Sequence, residues 1–144
     1  APNPPSPPNV SKWPTAVETS RATVMNYLNY LKNAKLIHLL YANGDEDQAK
    51  KPAKVYMHNT NLLYAIAPTN TDNINLRQTF FYNQLDYICE VKSSPEADFL
   101  VKNKYHFTVG GRKIEPANGM FAASDVIEVG EGNKIPLWLF GFLY

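Results

Sequence analysis

The stretch SRATVMNYLNYLKNAKLI, Ser20 to Ile37, decides how the rest of the chain is read. Ser20 suits a helix N-cap, because its hydroxyl accepts a hydrogen bond from an otherwise unpaired first-turn N–H. Val24, Leu28 and Leu31 recur at helical spacing with Tyr27 beside them, which predicts one apolar stripe. Arg21, Thr23, Asn26 and Tyr30 fall on other faces. A helix buried on one side, with an arginine and small polar side chains near its N-terminal end, suits reading a DNA major groove. The same pattern also fits an ordinary amphipathic helix with a solvated polar face, so its surroundings have to decide.

Downstream, Leu36–Tyr41 and Ala53–Met57 read as two strands flanking the polar loop 42–52, which holds the turn dipeptide Asn43-Gly44. Upstream, Val10–Val17 reads as a short helix that enters Ser20 through a polar turn, with Pro14 tolerated only in a first turn. Short helix, turn, longer helix and hairpin is the order of a winged helix-turn-helix. Between Ser11 and Leu40 the cations are Lys12, Arg21, Lys32 and Lys35 and the anion is Glu18, a local charge of +3 in a chain of net charge +1. At the wing tip Asp45, Glu46 and Asp47 would repel phosphate, whereas Lys50, Lys51 and Lys54 could contact it.

The 144 residues suffice for one domain with a real core or two very small ones, and 44% hydrophobic content indicates a folded chain. The first fourteen residues hold six prolines and favour extended polyproline II, a stiff linker with a PxxP-like spacing. No basic-then-apolar signal segment is visible, and the start at Ala1 suggests a fragment or processed product. The apolar run Ile135–Tyr144 is about half the roughly 20 residues a spanning helix needs, so it is expected to pack in a core rather than a membrane. The single cysteine, Cys89, sits among Tyr87, Ile88 and Val91; a buried free thiol fits a reducing cytoplasm. His38, His58 and His106 lack ligand-like spacing, which argues against zinc.

In the second half, Asn59-Thr60 can cap a short helix through Ile66, and a second strong helix is expected from about Asn75 to Tyr87. Ile74, Phe81, Leu85 and Ile88 form one stripe of it, Leu76 and Phe80 another. Strands are expected at Ile88–Val91, Asp98–Val101, Tyr105–Val109, Met120–Ser124 and Val126–Val129, with a hairpin turn at Lys102–Lys104 and a tail that is helix or strand. No phosphate-binding GxxxxGK[ST] loop is present, so this chain by itself is not expected to hydrolyse ATP. Tyr27, Tyr30, Tyr56, Tyr64, Phe80 and Phe81 could stack on bases, though core packing explains them more simply.

The stretches SRATVMNYLNYLKNAKLIHLLY, KPAKVYMHNTNLLYAI, NLRQTFFYNQL, ADFLVKNKYHFTVGG and GNKIPLWLFGFLY resemble the C-terminal region of bacterial and archaeal AAA-type ATPases. The resemblance implies an α/β (α+β) chain: a Pro-rich linker over 1–10, a winged helix-turn-helix over 11–58, and a restriction-endonuclease-like α/β domain with a mixed sheet over 59–144. The ATPase module would lie upstream. It further implies the PD-(D/E)XK pattern, in which carboxylates hold a divalent cation such as magnesium and a lysine helps activate water. Asp98 matches the first acid. The second acid falls at Thr108, the helix acid near Gln78, and the lysine near Gly110 or Arg112, where an arginine cannot serve as a base. Glu90, Glu96 or Glu115 would have to migrate to complete the site.

The expected function is therefore a DNA-binding, regulatory accessory region of an AAA-type ATPase with a degenerate nuclease-like half, not an enzyme by itself. Ser20, Arg21, Thr23 and Asn26 are the expected groove contacts on double-stranded DNA, and Lys32, Lys35, Lys50 and Lys51 the phosphate contacts. Asp98 and Arg112 stand as catalytic remnants. Two rival readings are a metal-dependent nuclease centred on Asp98, and a protein-interaction module that docks on the ATPase.

Overall fold

A computed structural model describes residues 20–42, 51–68, 72–111 and 114–143. The expected helix at Val10–Val17, the wing-tip acids, Lys50 and Arg112 lie outside the described residues. Helix α1 (Arg21–Asn33) begins at Ser20, whose Oγ accepts from the Thr23 N–H at 3.1 Å. It ends sooner than Ile37. Lys35 adopts φ 58°, Lys35 N–H donates to Lys32 O and Leu36 N–H to Leu31 O, both at 3.0 Å. That pair of bonds is a Schellman ending, with lysine in the left-handed position that favours glycine.

The ending turns the chain straight into an antiparallel hairpin, β1 (Ile37–Leu40) and β2 (Lys54–Met57), with Ile37 opposite Met57 and Leu40 opposite Lys54. Side chains alternate across it. Ile37, Leu39, Val55 and Met57 pack with Val24, Met25 and Leu28 of α1. Leu40 and Tyr56 face the other way and join the main core. The hairpin is thus a middle layer, which explains why all four residues of β1 are buried. The apolar stripe of α1 differs from the expected one: Met25 is inside, whereas Tyr27 and Leu31 are exposed. The contact with the hairpin is made by Val24, Met25 and Leu28; Tyr27 lies to the side of it and Leu31 a turn beyond it.

Asn59 caps α2 (Thr60–Ile66), its Oδ1 accepting from Leu62 N–H, and Asp72 caps α3 (Asn73–Asp86), its Oδ2 accepting from Asn75 N–H. Helix α3 packs on a five-stranded sheet ordered β3 (Val91–Ser93), β4 (Phe99–Val101), β5 (Tyr105–Gly110), β6 (Phe121–Ser124) and β7 (Lys134–Pro136). β3 to β5 form an antiparallel meander, while β5, β6 and β7 run parallel, so the sheet is mixed. Phe81 is the anchor of α3, fully buried with ring centroids 5.1 Å from Phe99, 5.2 Å from Phe107 and 4.7 Å from Phe140. Phe140 belongs to the closing 3₁₀ helix, Leu137–Phe142.

Three expectations shift. Ile74 and Ile88 are exposed because they sit at the ends of α3, beyond the sheet it covers. The first sheet strand starts at Val91, since residues 87–89 close the helix through bonds from Ile88 and Cys89 N–H to Leu85 O. Val126–Val129 is no strand; Val126 and Val129 are exposed, and the edge pairing falls to Lys134–Pro136 instead. Ser93 N–H donates to Tyr41 O at 2.7 Å, which continues the hairpin layer into the sheet edge.

Candidate nucleic-acid interface and the Asp98 cleft

On α1, Arg21 and Asn26 are exposed and Thr23 is half-buried. At about 100° per residue, Thr23, Asn26, Tyr27 and Tyr30 share the face opposite the hairpin. Arg21, the first residue of α1, falls by the same count on the packed side of the helix and is exposed. Tyr27 and Tyr30 are 57% and 65% exposed with ring centroids 6.5 Å apart, so two aromatic rings border the polar patch. Ser20 acts first as a cap, and its Oγ lies 2.8 Å from Thr23 Oγ1.

The expected phosphate contacts divide. Lys51 is exposed. Lys32 Nζ lies 5.9 Å from the Tyr41 ring centroid and Lys35 Nζ 5.1 Å from that of Tyr87. Both lysines border a 210 Å³ cavity with Asn33, Ile37, His38, His58 and Asp86, at the opposite end of α1 from Arg21. Here His38 Nδ1 is 3.2 Å from Asp86 Oδ2 and its Nε2 is 3.1 Å from His58 O. The two imidazoles stack at 4.4 Å, and His58 Nε2 lies 3.0 Å from the Tyr87 hydroxyl. Burial together with the His38 and Lys35 charges outweighs Asp86 and lowers the His58 pKa. Burial pushes the Asp86 carboxyl up, but the His38 hydrogen bond and the charges of His38, Lys32 and Lys35 hold it below the usual range.

Asp98 sits just before β4 in a different cleft of about 510 Å³, lined also by Ile74, Arg77, Gln78, Val109, Gly110, Gly111 and Ile114. Of the positions that the family resemblance singles out, Asp98, Gln78 and Gly110 line this cleft, Thr108 does not, and Arg112 lies outside the described residues. Their chemistry is occupied. Asp98 Oδ2 accepts from Val109 N–H at 2.8 Å, and its Oδ1 is 3.6 Å from Lys54 Nζ. Gln78 Oε1 accepts the buried Tyr56 hydroxyl at 3.0 Å. Burial, then the Asp98 charge, raises the Tyr56 pKa far above its usual value. A Cβ at Gly110 would collide with Ile114 Cδ1, so a lysine there requires Ile114 to move. Gly111 leaves room for the Arg77 guanidinium, which Asp125 holds through an Nε–Oδ2 contact of 2.7 Å.

These residues do not fit a magnesium ion. Among the described residues the cleft offers one carboxylate, Asp98, already beside an ammonium, and a neutral Gln78 near the helix-acid position; the second acidic position is the neutral Thr108, which does not line the cleft. Glu90 pairs with Lys92, and Glu115 with Lys134; Glu96 is exposed. Among the described residues no three His, Cys, Asp or Glu side chains gather as a metal site. Cys89 is half-buried, its pKa raised by burial, and its thiol lies 3.6 Å from Leu85 O. Ser94 Oγ, 2.8 Å from His106 Nδ1, also accepts from Glu96 and Ala97 N–H, so its lone pairs are committed to a turn.

No protein-family model, curated protein or solved structure matches the chain. Among the described residues, no helix is long and apolar enough to cross a membrane. The ionisable cluster of His38, His58 and Asp86 went unseen in the sequence. Its members are 20 and 28 residues apart, and His38 inside an apolar strand is the local hint.

Proposed function

We propose that this chain is a DNA-binding, regulatory accessory region of an AAA-type ATPase. Helix α1 is its recognition helix, the β1–β2 hairpin its wing, and the five-stranded half a restriction-endonuclease-like fold that has lost catalysis. The observation that carries the reading is the exposure of Asn26, with Thr23 partly open, on a helix whose other side is fixed by the hairpin, together with the exposed Arg21 in its first turn. Small polar side chains on a rigidly mounted helix are what base edges in the major groove require. The meander followed by a parallel strand, with Asp98 at the start of β4, supports the nuclease-like half. The locked state of Asp98 supports its loss of activity.

Fluorescence titration on duplex DNA at low salt tests this. Arg21→Ala and Lys35→Ala should each weaken binding, and each lost phosphate contact should lower the salt slope by about 1. Unchanged affinity and slope in both variants would remove the proposal. The same face favours a second reading, docking on a protein such as the ATPase module. Tyr27, Tyr30 and Leu31 together expose more aromatic and aliphatic surface than phosphate contacts need. Tyr30→Ala that impairs ATPase docking but not DNA affinity would favour it.

A further inference from the structure

The stacked histidines join three parts of the molecule. His38 lies in β1, His58 follows β2, and Asp86 and Tyr87 close α3. His38 is 4% exposed and His58 is 9% exposed, so neither is a surface imidazole. Both His38 ring nitrogens face acceptors, the Asp86 carboxylate at Nδ1 and the His58 carbonyl at Nε2. The His58 carbonyl is held a second time by Asn83 Nδ2 at 2.8 Å. His58 Nε2, in turn, receives a hydrogen bond when the Tyr87 hydroxyl donates, which needs an unprotonated Nε2.

We propose that this stack is a proton-operated latch between the hairpin and the C-terminal end of α3. It is closed with His58 neutral and opens when His58 takes up a proton.

The charged groups around His58 make its protonation disruptive. From α1 and its ending come Lys32 and Lys35, from β1 His38, and from α3 Asp86; Tyr82 and Tyr87 contribute neutral hydroxyls. Among the described residues that surround His58, Asp86 is the anion, and His38 already engages it. A protonated His58 would face His38 across 4.4 Å, would lie near Lys35, and would turn the Tyr87 hydroxyl from donor into acceptor. Tyr87 also carries the Lys35 ammonium on its ring, so its release frees the end of α1 as well. Leu40 and Tyr56 stay in the main core, which confines the opening to this end of the hairpin.

The sign follows from His58 having a lowered folded value. Its contribution is complete above the ordinary imidazole value of 6.5 and is lost as pH falls below that value toward the folded one. Hydrogen exchange followed by mass spectrometry on the full chain tests the latch, corrected for intrinsic rates, at pH 7.5 and pH 5.5. Exchange in segments 54–59 and 83–89 should rise at least about 5-fold at pH 5.5, while 99–110 stays unchanged. His58→Gln should abolish the pH difference. Tyr87→Phe, which keeps the ring and removes the donor, should move the transition to higher pH and guards against a misfolded His58→Gln. Wild-type protection that is flat between the two pH values overturns the proposal. So does the same pH response in His58→Gln, or a Tyr87→Phe transition that does not move.

Discussion

Asp98 and Asp86 invite direct comparison, because one face of the hairpin supplies a partner to each. Lys54 of β2 reaches Asp98 and His38 of β1 reaches Asp86. The surroundings then diverge. Asp98 shares its second oxygen with a backbone amide, a partner that keeps its proton, so that clamp is fixed once the sheet forms. Asp86 holds the His38 imidazole, on which His58 stacks, and burial with the charges around it lowers the His58 pKa. The position where a motif suggests chemistry is therefore a static structural tie. The position without a motif holds the titratable machinery. The difference shows that spacing in a sequence finds where a site could be, whereas the partners decide whether anything there can change.

The comparison assumes that both aspartates hang on one shared anchor, and Phe81 tests that most severely. Phe81→Ala removes a fully buried ring that touches Phe99, Phe107 and Phe140. It should cost about 3–5 kcal/mol in denaturant unfolding, with the hairpin and the sheet losing stability together. A loss below about 1 kcal/mol would mean that α3 is not the common support.

Next in size is Asp98→Ala, which leaves Val109 N–H and Lys54 without their acceptor and should cost about 1–3 kcal/mol. Asp98→Asn retains an acceptor and should cost less. Equal losses in the two variants would place the role of Asp98 in its charge pair with Lys54 rather than in the amide bond.

Asp86 should differ from Asp98 in how its contribution responds to acid. A carboxyl held below its ordinary value of 3.8 contributes stability above that pH and loses it as pH falls through the folded value. Thermal unfolding of the wild type should weaken in that window, and Asp86→Asn should flatten the slope there. A slope that persists in the variant would assign the acid sensitivity elsewhere.

Much of this frame was legible in the sequence, and the failures share a cause. The caps at Ser20 and Asn59 and the hairpins at 37–57 and 99–110 announce themselves by local chemistry that tertiary packing reinforces. Strand β7 did not, because three residues are too few to show a period, and Val126–Val129 had the better β-propensity without a neighbour to pair with. Ile74, Ile88, Tyr27 and Leu31 followed the helical period but lie beyond or beside the surface that their helices cover. For the site, of the positions the resemblance named, Asp98, Gln78 and Gly110 line one cleft, Thr108 does not, and Arg112 lies outside the described residues. The His38–His58–Asp86 cluster could not be read, since only the hairpin register and the end of α3 bring those residues together.

The smallest predicted effect separates the two regions most finely, because each contains a lysine in the left-handed conformation. Lys102 has φ 52° in the turn joining β4 to β5, the strands around Asp98, and Lys35 has φ 58° beside the histidine stack. Glycine enters that conformation without the Cβ clash that lysine bears. Lys102→Gly should therefore stabilise the protein by about 0.5–1 kcal/mol. Lys35→Gly relieves the same strain but gives up the ammonium over the Tyr87 ring and one of the charges that oppose protonation of His58. It should gain less at neutral pH and should also shift the stack's response toward higher pH. Equal gains in urea unfolding at pH 7.5, with an unshifted pH response in Lys35→Gly, would mean that Lys35 is merely a helix ending and that the charge balance of the stack is set without it.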